Sequence, residues 1–257
     1  MRKNLKFLTY FIVIIFLLFL LYFFRTSVFN FLVGVYRSLY RTLIEEERYI
    51  LILNGLKSTI LISFFSIIFG SIIGFLLFLL RRKNKLLKNL IKIIVSIIQG
   101  MPITVLLLIF YYVIFASIDI EPMIVAIITF SLYFSAYISE VFRGAYSSIN
   151  KNQIISSYSL GFSKVQTLKY IIFPQLMSYI IPVFKNESVS LIKLTSIAGY
   201  ISIMDLTKAG DIIRYRTYEA FFPLIFIALI YFILCFIISK LLDLVYKKVN
   251  PRKEKRI

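Results

Sequence analysis

The chain has 257 residues, with 30 Lys and Arg against 12 Asp and Glu, for a formal charge of +18. It is 60% hydrophobic with a mean hydropathy of +0.89, which excludes a soluble globular domain and points to a membrane protein. There is no His, and Cys235 is the sole cysteine, so Cys/His metal sites, histidine general bases and disulfides within the chain are excluded.

Six apolar stretches, each long enough to cross a hydrocarbon core of roughly 30 Å, follow in chain order: 7–24, 50–80, 91–117, 123–142, 171–197 and 220–243. The first has a basic start (Arg2, Lys3, Lys6) but no small-x-small cleavage site after it, so it reads as a retained helix and not a signal peptide. The second opens with the polar run Asn54 to Thr59, suited to the interface. It also contains a G-x-x-x-G pair, Gly70 and Gly74, read as close helix packing in preference to a dimer face. Pro102 in the third span and Pro182 in the fifth each free a carbonyl and favour a kink. With no Trp, interfacial belts fall to Tyr22, Tyr49, Tyr111, Tyr112 and Tyr246.

The charge follows topology. Arg81, Arg82, Lys83, Lys85 and Lys88 fill the loop after the second span, and Lys247, Lys248, Arg252, Lys253, Lys255 and Arg256 fill the tail. The alternate loops, 25–49, 118–122 and 201–219, carry balanced or acidic charge. This is the positive-inside pattern and predicts both termini in the cytoplasm; it also removes the need for a nucleic-acid partner. No G-x-x-x-x-G-K run exists, so the chain carries no P-loop for nucleotide hydrolysis.

The polar interruption 143–170 is the most informative segment. Lys151 to Leu160 is compatible with a helix, on which Ile154, Tyr158 and Phe162 share a face with Ile155 beside them. Gly161 follows, suited to a left-handed cap, and Pro174 lies near the start of the next span. An amphipathic helix resting on lipid and a docking element for a cytoplasmic partner both fit this pattern. The fifth span is polar for a membrane helix. It holds Lys185, Asn186, Glu187, Ser190, Lys193, Thr195 and Ser196, with Asn186, Ser190 and Lys193 in one stripe. Charges inside a span are costly and face a cavity or a partner. A translocation path is one reading; a structural pair, or lysines snorkelling outward, is the other. Glu140 and Arg143, three apart near a span end, read as a helix-surface latch.

Taken together, five motifs resemble a known family. Gly161, then nine residues, then Ile171-x-Phe173-Pro174 looks like the "EAA" loop of ABC importer permeases, with Ser156 and Ser157 where that family has Ala and Ile155 where it has Glu. Asn54 to Ile60, Gln99-Gly100-Met101-Pro102-Ile103, Ala136 to Gly144, and Asn186-Glu187 with Ser190 to Ser196 are similar to motifs of its polar amino-acid uptake branch. The resemblance covers about residues 50–245.

The resemblance implies an all-α integral membrane protein with the type I importer permease fold, a five-helix core plus one N-terminal transmembrane helix. It divides the chain into 1–48 (N-terminal helix and extracytoplasmic segment), 49–246 (permease domain with coupling loop 143–170) and 247–257 (basic cytoplasmic tail). It implies an ATP-driven importer of polar amino acids in the bacterial cell membrane. The expected partners are cytoplasmic ABC ATPase subunits, a second permease subunit and an extracytoplasmic solute-binding protein. ATP and Mg would be bound by the ATPase and no cofactor by this chain, which is not itself an enzyme. Ile154, Ile155, Ser156, Ser157, Tyr158, Gly161 and Pro174 become the expected ATPase-coupling residues. Gly100, Pro102, Asn186, Glu187, Ser190, Lys193, Thr195 and Ser196 become the expected substrate path. An ABC permease for another small polar solute, an ion-driven secondary transporter, and a membrane scaffold are the alternatives.

Overall fold

A computed structural model describes residues 2–249, and all of its regular elements among these residues are helical. The basic tail beyond residue 249 and the side chains of Arg2, Lys3 and Lys6 lie outside the described residues. The helices are α1 (Arg2–Leu43), α2 (Arg48–Leu80), α3 (Lys85–Gly100), α4 (Ile103–Ile109), α5 (Pro122–Ser147), α6 (Lys151–Ser159), α7 (Lys164–Thr167), α8 (Phe173–Leu194), α9 (Leu206–Thr217) and α10 (Phe221–Val249). Wide π-type turns extend α4 over Phe110–Ile114 and join α7 to α8 over Leu168–Ile172.

The core is a seam between α2 and α5. A methyl group built on Gly70 would sit 2.8 Å from the Ser131 carbonyl oxygen, and one on Gly74 would sit 2.9 Å from Ile138 Cβ. The glycine pair therefore packs α2 on α5 inside the subunit, as its spacing suggested. Around the seam the buried polar residues are small hydroxyls, most of which bond back within their own helices, while Ser66 donates across to the Ile127 carbonyl of α5 at 3.4 Å. Ser63 donates to the Thr59 carbonyl at 2.7 Å, Thr129 to Val125 at 2.8 Å and Ser131 to Ile127 at 2.6 Å. Such side chains let two backbones approach in lipid without leaving a polar group unpaired. Ile62, Leu107, Phe130, Phe134, Leu191 and Ile201 complete the buried cluster, drawing α4 and α8 onto the seam.

Four expected boundaries change. The first span, expected at 7–24, belongs to a helix that runs on to Leu43. Nothing from 25 to 43 breaks a helix apart from Gly34, and 42 residues make a rod of about 63 Å, longer than a bilayer is thick. Its last turn joins the body: Thr42 is buried, Leu43 packs with Ile52, Leu206, Ile213 and Ile227, and Arg41 meets Glu219 at 3.3 Å. The acidic triplet that follows is a tight turn with Glu46 and Glu47 in the left-handed region. It wraps the buried Arg48, which reaches Glu46 at 3.2 Å and Glu45 at 3.5 Å.

The third span, expected as one crossing over 91–117, is broken by 105° between α3 and α4. The cause is local. Pro102 forces its predecessor out of the helical region, and Met101 sits at φ −101°, ψ 140°. Alone, α3 is 16 residues, about 24 Å, which is short for a crossing. The fifth crossing runs from Lys164 to Ile201, longer than the expected 171–197. Finally, the segment 201–219, expected as a mixed-charge loop, contains α9. Asp205 caps it by accepting from the backbone N–H groups of Thr207 and Lys208, both at 3.1 Å, and Leu206, Ala209, Gly210 and Ile213 form its buried face.

Gly70→Val is expected to lower stability by about 1–3 kcal/mol, the usual cost of forcing extra methyl groups into a packed seam. Heating the purified protein and following its monodisperse peak by size exclusion checks this. An unchanged melting temperature would show that the α2–α5 contact tolerates separation.

Candidate functional site

Two regions carry the polar chemistry: the short hairpin between α5 and α8, and the polar length of α8 itself. The hairpin builds itself from local signals. Asn150 caps α6 by accepting from the Asn152 N–H at 2.9 Å. At the other end Gly161 adopts φ +83°. Its N–H donates to the Tyr158 carbonyl at 3.0 Å, and the Phe162 N–H donates to the Ser157 carbonyl at 3.1 Å. That pair of bonds is the Schellman closure, which a left-handed glycine makes cheap. Two residues later Ser163 opens α7 with a reciprocal capping box, its N–H donating to Gln166 Oε1 at 2.8 Å.

The two short helices are bolted together and to the membrane helix. Ser157 Oγ and Thr167 Oγ1 are 2.9 Å apart and both side chains are buried. Gln175 Nε2 of α8 donates to Gln153 Oε1 of α6 at 2.8 Å. What faces outward is apolar: Ile155 is 61% exposed, Leu160 78% and Val165 72%, with Tyr158 and Leu168 also exposed. Ile154 is half-buried, so the exposed ridge centres one residue later than the Ile154–Tyr158–Phe162 face suggests. Ser156 is exposed; Ser157 is the internal bolt and presents nothing to a partner; Pro174 is half-buried in the first turn of α8.

The residues expected along a path are divided among several faces. Gly100 and Pro102 are exposed at the α3–α4 break, and a methyl on Gly100 would meet nothing within 4 Å. On α8, Asn186 and Lys193 are exposed and Ser190 is half-buried, in one stripe. Glu187 lies off that stripe, near enough to Tyr133 of α5 for the two to interact electrostatically. Tyr133 and Tyr137 hydroxyls are 3.1 Å apart, so α5 offers Glu187 a paired phenol cluster that sequence spacing alone left unremarked. Lys193 instead lies within electrostatic range of Cys235 on α10. Glu187 and Lys193 are about 120° apart around the helix, so within one subunit they face different neighbours. Thr195 is buried and bonds back to the Ile192 carbonyl at 2.7 Å, and Ser196 is half-buried beside it.

Three ion pairs, two of them on Glu140, prove structural. Lys185 meets Asp243 of α10 at 2.7 Å, realising the structural pair that was one of its two expected uses. Glu140 accepts from Arg143 at 2.6 Å as its spacing suggested, and also from Arg81, which ties α2 to α5. Asp243 and Arg81 lie 58 and 59 residues from their partners, a separation that no local pattern reveals.

Comparison with known proteins gives a consistent result. The family described as "Binding-protein-dependent transport system inner membrane component" matches residues 66–252. A probable amino-acid ABC transporter permease protein, YckA of Bacillus subtilis, is 34% identical over 212 residues, covering 82% of this chain and 94% of its own length. The L-cystine transport system permease protein TcyB of the same organism is 31% identical, covering 81% and 90%. Among solved structures, an amino acid ABC transporter crystallised with histidines superimposes with a TM-score of 0.71 at 29% identity, over 79% of this chain and 96% of that one. The MetNI methionine transporter, at 20% identity and a TM-score of 0.63, shares the fold.

Gly161→Val is expected to cost about 1–2 kcal/mol locally, because a side chain is held in the left-handed region. Hydrogen exchange of the Tyr158–Gln166 amides should accelerate while those of α5 do not. Equal protection in variant and wild type would mean the closure does not depend on glycine.

Proposed function

Because this chain belongs to the binding-protein-dependent transport inner membrane component family and is a multi-pass ABC transporter permease subunit, we propose that it carries polar amino acids into the cell, driven by a separate ATPase. The observation that carries this reading is the hairpin: an exposed apolar ridge on a capped helix pair, bolted to the helix that bears the polar stripe. A cytoplasmic ATPase that grips Ile155, Tyr158 and Leu160 would move α6. Through Ser157–Thr167 and Gln153–Gln175 that movement reaches α7 and α8 without passing through a flexible loop. Asn186, Glu187, Ser190 and Lys193 ride on α8, so closing the ATPase dimer would tilt the groups that meet substrate. This is alternating access with the nucleotide chemistry, ATP and Mg, held in the partner.

The cargo assignment rests on relatives named for amino-acid, glutamine and cystine transport, together with the charges on α8. An amino acid presents a carboxylate and an ammonium. Lys193 suits the first and Glu187, backed by Tyr133 and Tyr137, the second. Since the two face different neighbours, one cargo molecule would take its second partner across the seam between two permease subunits. An extracytoplasmic solute-binding protein would deliver it. The basic loops support a cytoplasmic position for the 81–92 end and both termini.

Uptake of labelled amino acids by the assembled complex tests the cargo. Glu187→Gln and Lys193→Met should each weaken uptake about ten- to a hundredfold, the loss of one charged hydrogen bond of roughly 1.5–3 kcal/mol, with the complex still assembled. Wild-type uptake in both variants would assign these charges to structure. For topology, a membrane-impermeant thiol reagent added outside should label a cysteine placed at Asp119 and miss one placed at Lys85. The reverse would leave the hairpin on the wrong side for an ATPase.

A further inference from the structure

The family reading leaves unused a basic cavity of about 540 Å³ between the end of α2, the start of α3 and the end of α5. Five cations line it, Arg81, Arg82, Lys88, Lys92 and Arg143, against the single carboxylate of Glu140. Glu140 is already shared between Arg81 and Arg143, so the cavity keeps a large positive excess. Among the described residues no carboxylate lies within ion-pair distance of Lys88 or Lys92, which stand one turn apart on α3.

A surface cluster of lysines would mean little. Here the wall is built. Arg81 has a side chain only 7% exposed, and its Nε is buried with no hydrogen-bond partner. A buried guanidinium donor without an acceptor is costly, and the one carboxylate that meets Arg81 is shared with Arg143, so the Arg81 charge is only partly compensated. The Arg82 guanidinium lies over the Tyr146 ring, 4.1 Å from its centre, and donates to the Tyr146 hydroxyl at 2.9 Å, so its charge is positioned. Leu86, Leu90 and Ile94 are exposed on the opposite side of α3 from Lys88 and Lys92, so this helix carries a cationic face toward the cavity and an apolar face away from it.

We propose that this cavity binds a phosphate group, and that an anionic phospholipid headgroup of the adjacent leaflet supplies it. The cations would meet the phosphodiester while the acyl chains stay in the leaflet. The occupant would pin α3 to the end of α5, four residues before the first residue of the ATPase-facing hairpin. The inference rests on the membrane placement of the 81–92 end but not on any cargo, so a binding measurement separates its failure from that of the transport reading.

The test is native mass spectrometry of the purified full-length chain in detergent, titrated with phosphatidylglycerol, phosphatidylcholine or inorganic phosphate. Wild type should retain phosphatidylglycerol in preference to phosphatidylcholine. Lys88→Gln/Lys92→Gln should weaken that retention about thirtyfold, from roughly a fivefold loss for each lysine near a lipid headgroup. Arg82→Gln serves as a second variant should the double substitution fail to fold. If millimolar inorganic phosphate displaces the lipid or raises the melting temperature of wild type and not of the variants, the cavity is a phosphate site whose source is soluble. Equal retention of the two lipids, or equal phosphatidylglycerol binding in wild type and folded variants with no effect of phosphate, would overturn the proposal.

Discussion

The close approach of α2 and α5 is the constraint on which the rest of the subunit depends. In a bilayer, apolar side chains gain nothing by leaving lipid for protein, so helices associate where backbones can come near and every polar group stays paired. Gly70 and Gly74 supply the nearness, and back-bonded hydroxyls on both helices supply the pairing. The same two helices then end side by side, where Arg81 and Arg143 clasp Glu140. That clasp fixes the point from which the hairpin leaves the membrane. A looser seam would let α5 drift relative to the hairpin and α8, which are joined to each other directly through Gln153 and Gln175.

The hairpin illustrates how little sequence is needed to make a rigid part. Two helices of nine and four residues would not hold together in water on propensity alone. Caps at Asn150 and Ser163, the left-handed Gly161, and one buried hydroxyl pair give them a single geometry. Their outward face is left apolar, which is unfavourable in isolation and favourable once a partner covers it.

Much of this was legible from residues alone, for identifiable reasons. Membrane spans announce themselves because lipid imposes length and apolarity. Gly161 was legible because left-handed closure has a strong residue preference. The failures share one cause, long-range context. The end of the apolar run near residue 24 marks the limit of a span but not of a helix, and the polar continuation of α1 has only Gly34 to interrupt it. Pro102 signalled a kink, but the size of the bend depends on what α4 packs against. The α9 pattern was present in Asp205, Leu206, Ala209, Gly210 and Ile213, yet mixed surface charge masked it. Ser157 reads as a coupling residue by motif position, and only Thr167, ten residues away, turns it inward.

The central claim is that the ridge of α6 contacts a cytoplasmic ATPase during turnover. The most direct measurement places a single cysteine at Leu160, in a Cys235→Ser background, and cross-links it through a short thiol–amine reagent in membranes that contain the partner ATPase. The account predicts a cross-linked permease–ATPase product whose yield changes on adding ATP, and none from a cysteine at Asp119. No product from Leu160, with transport intact, would contradict it.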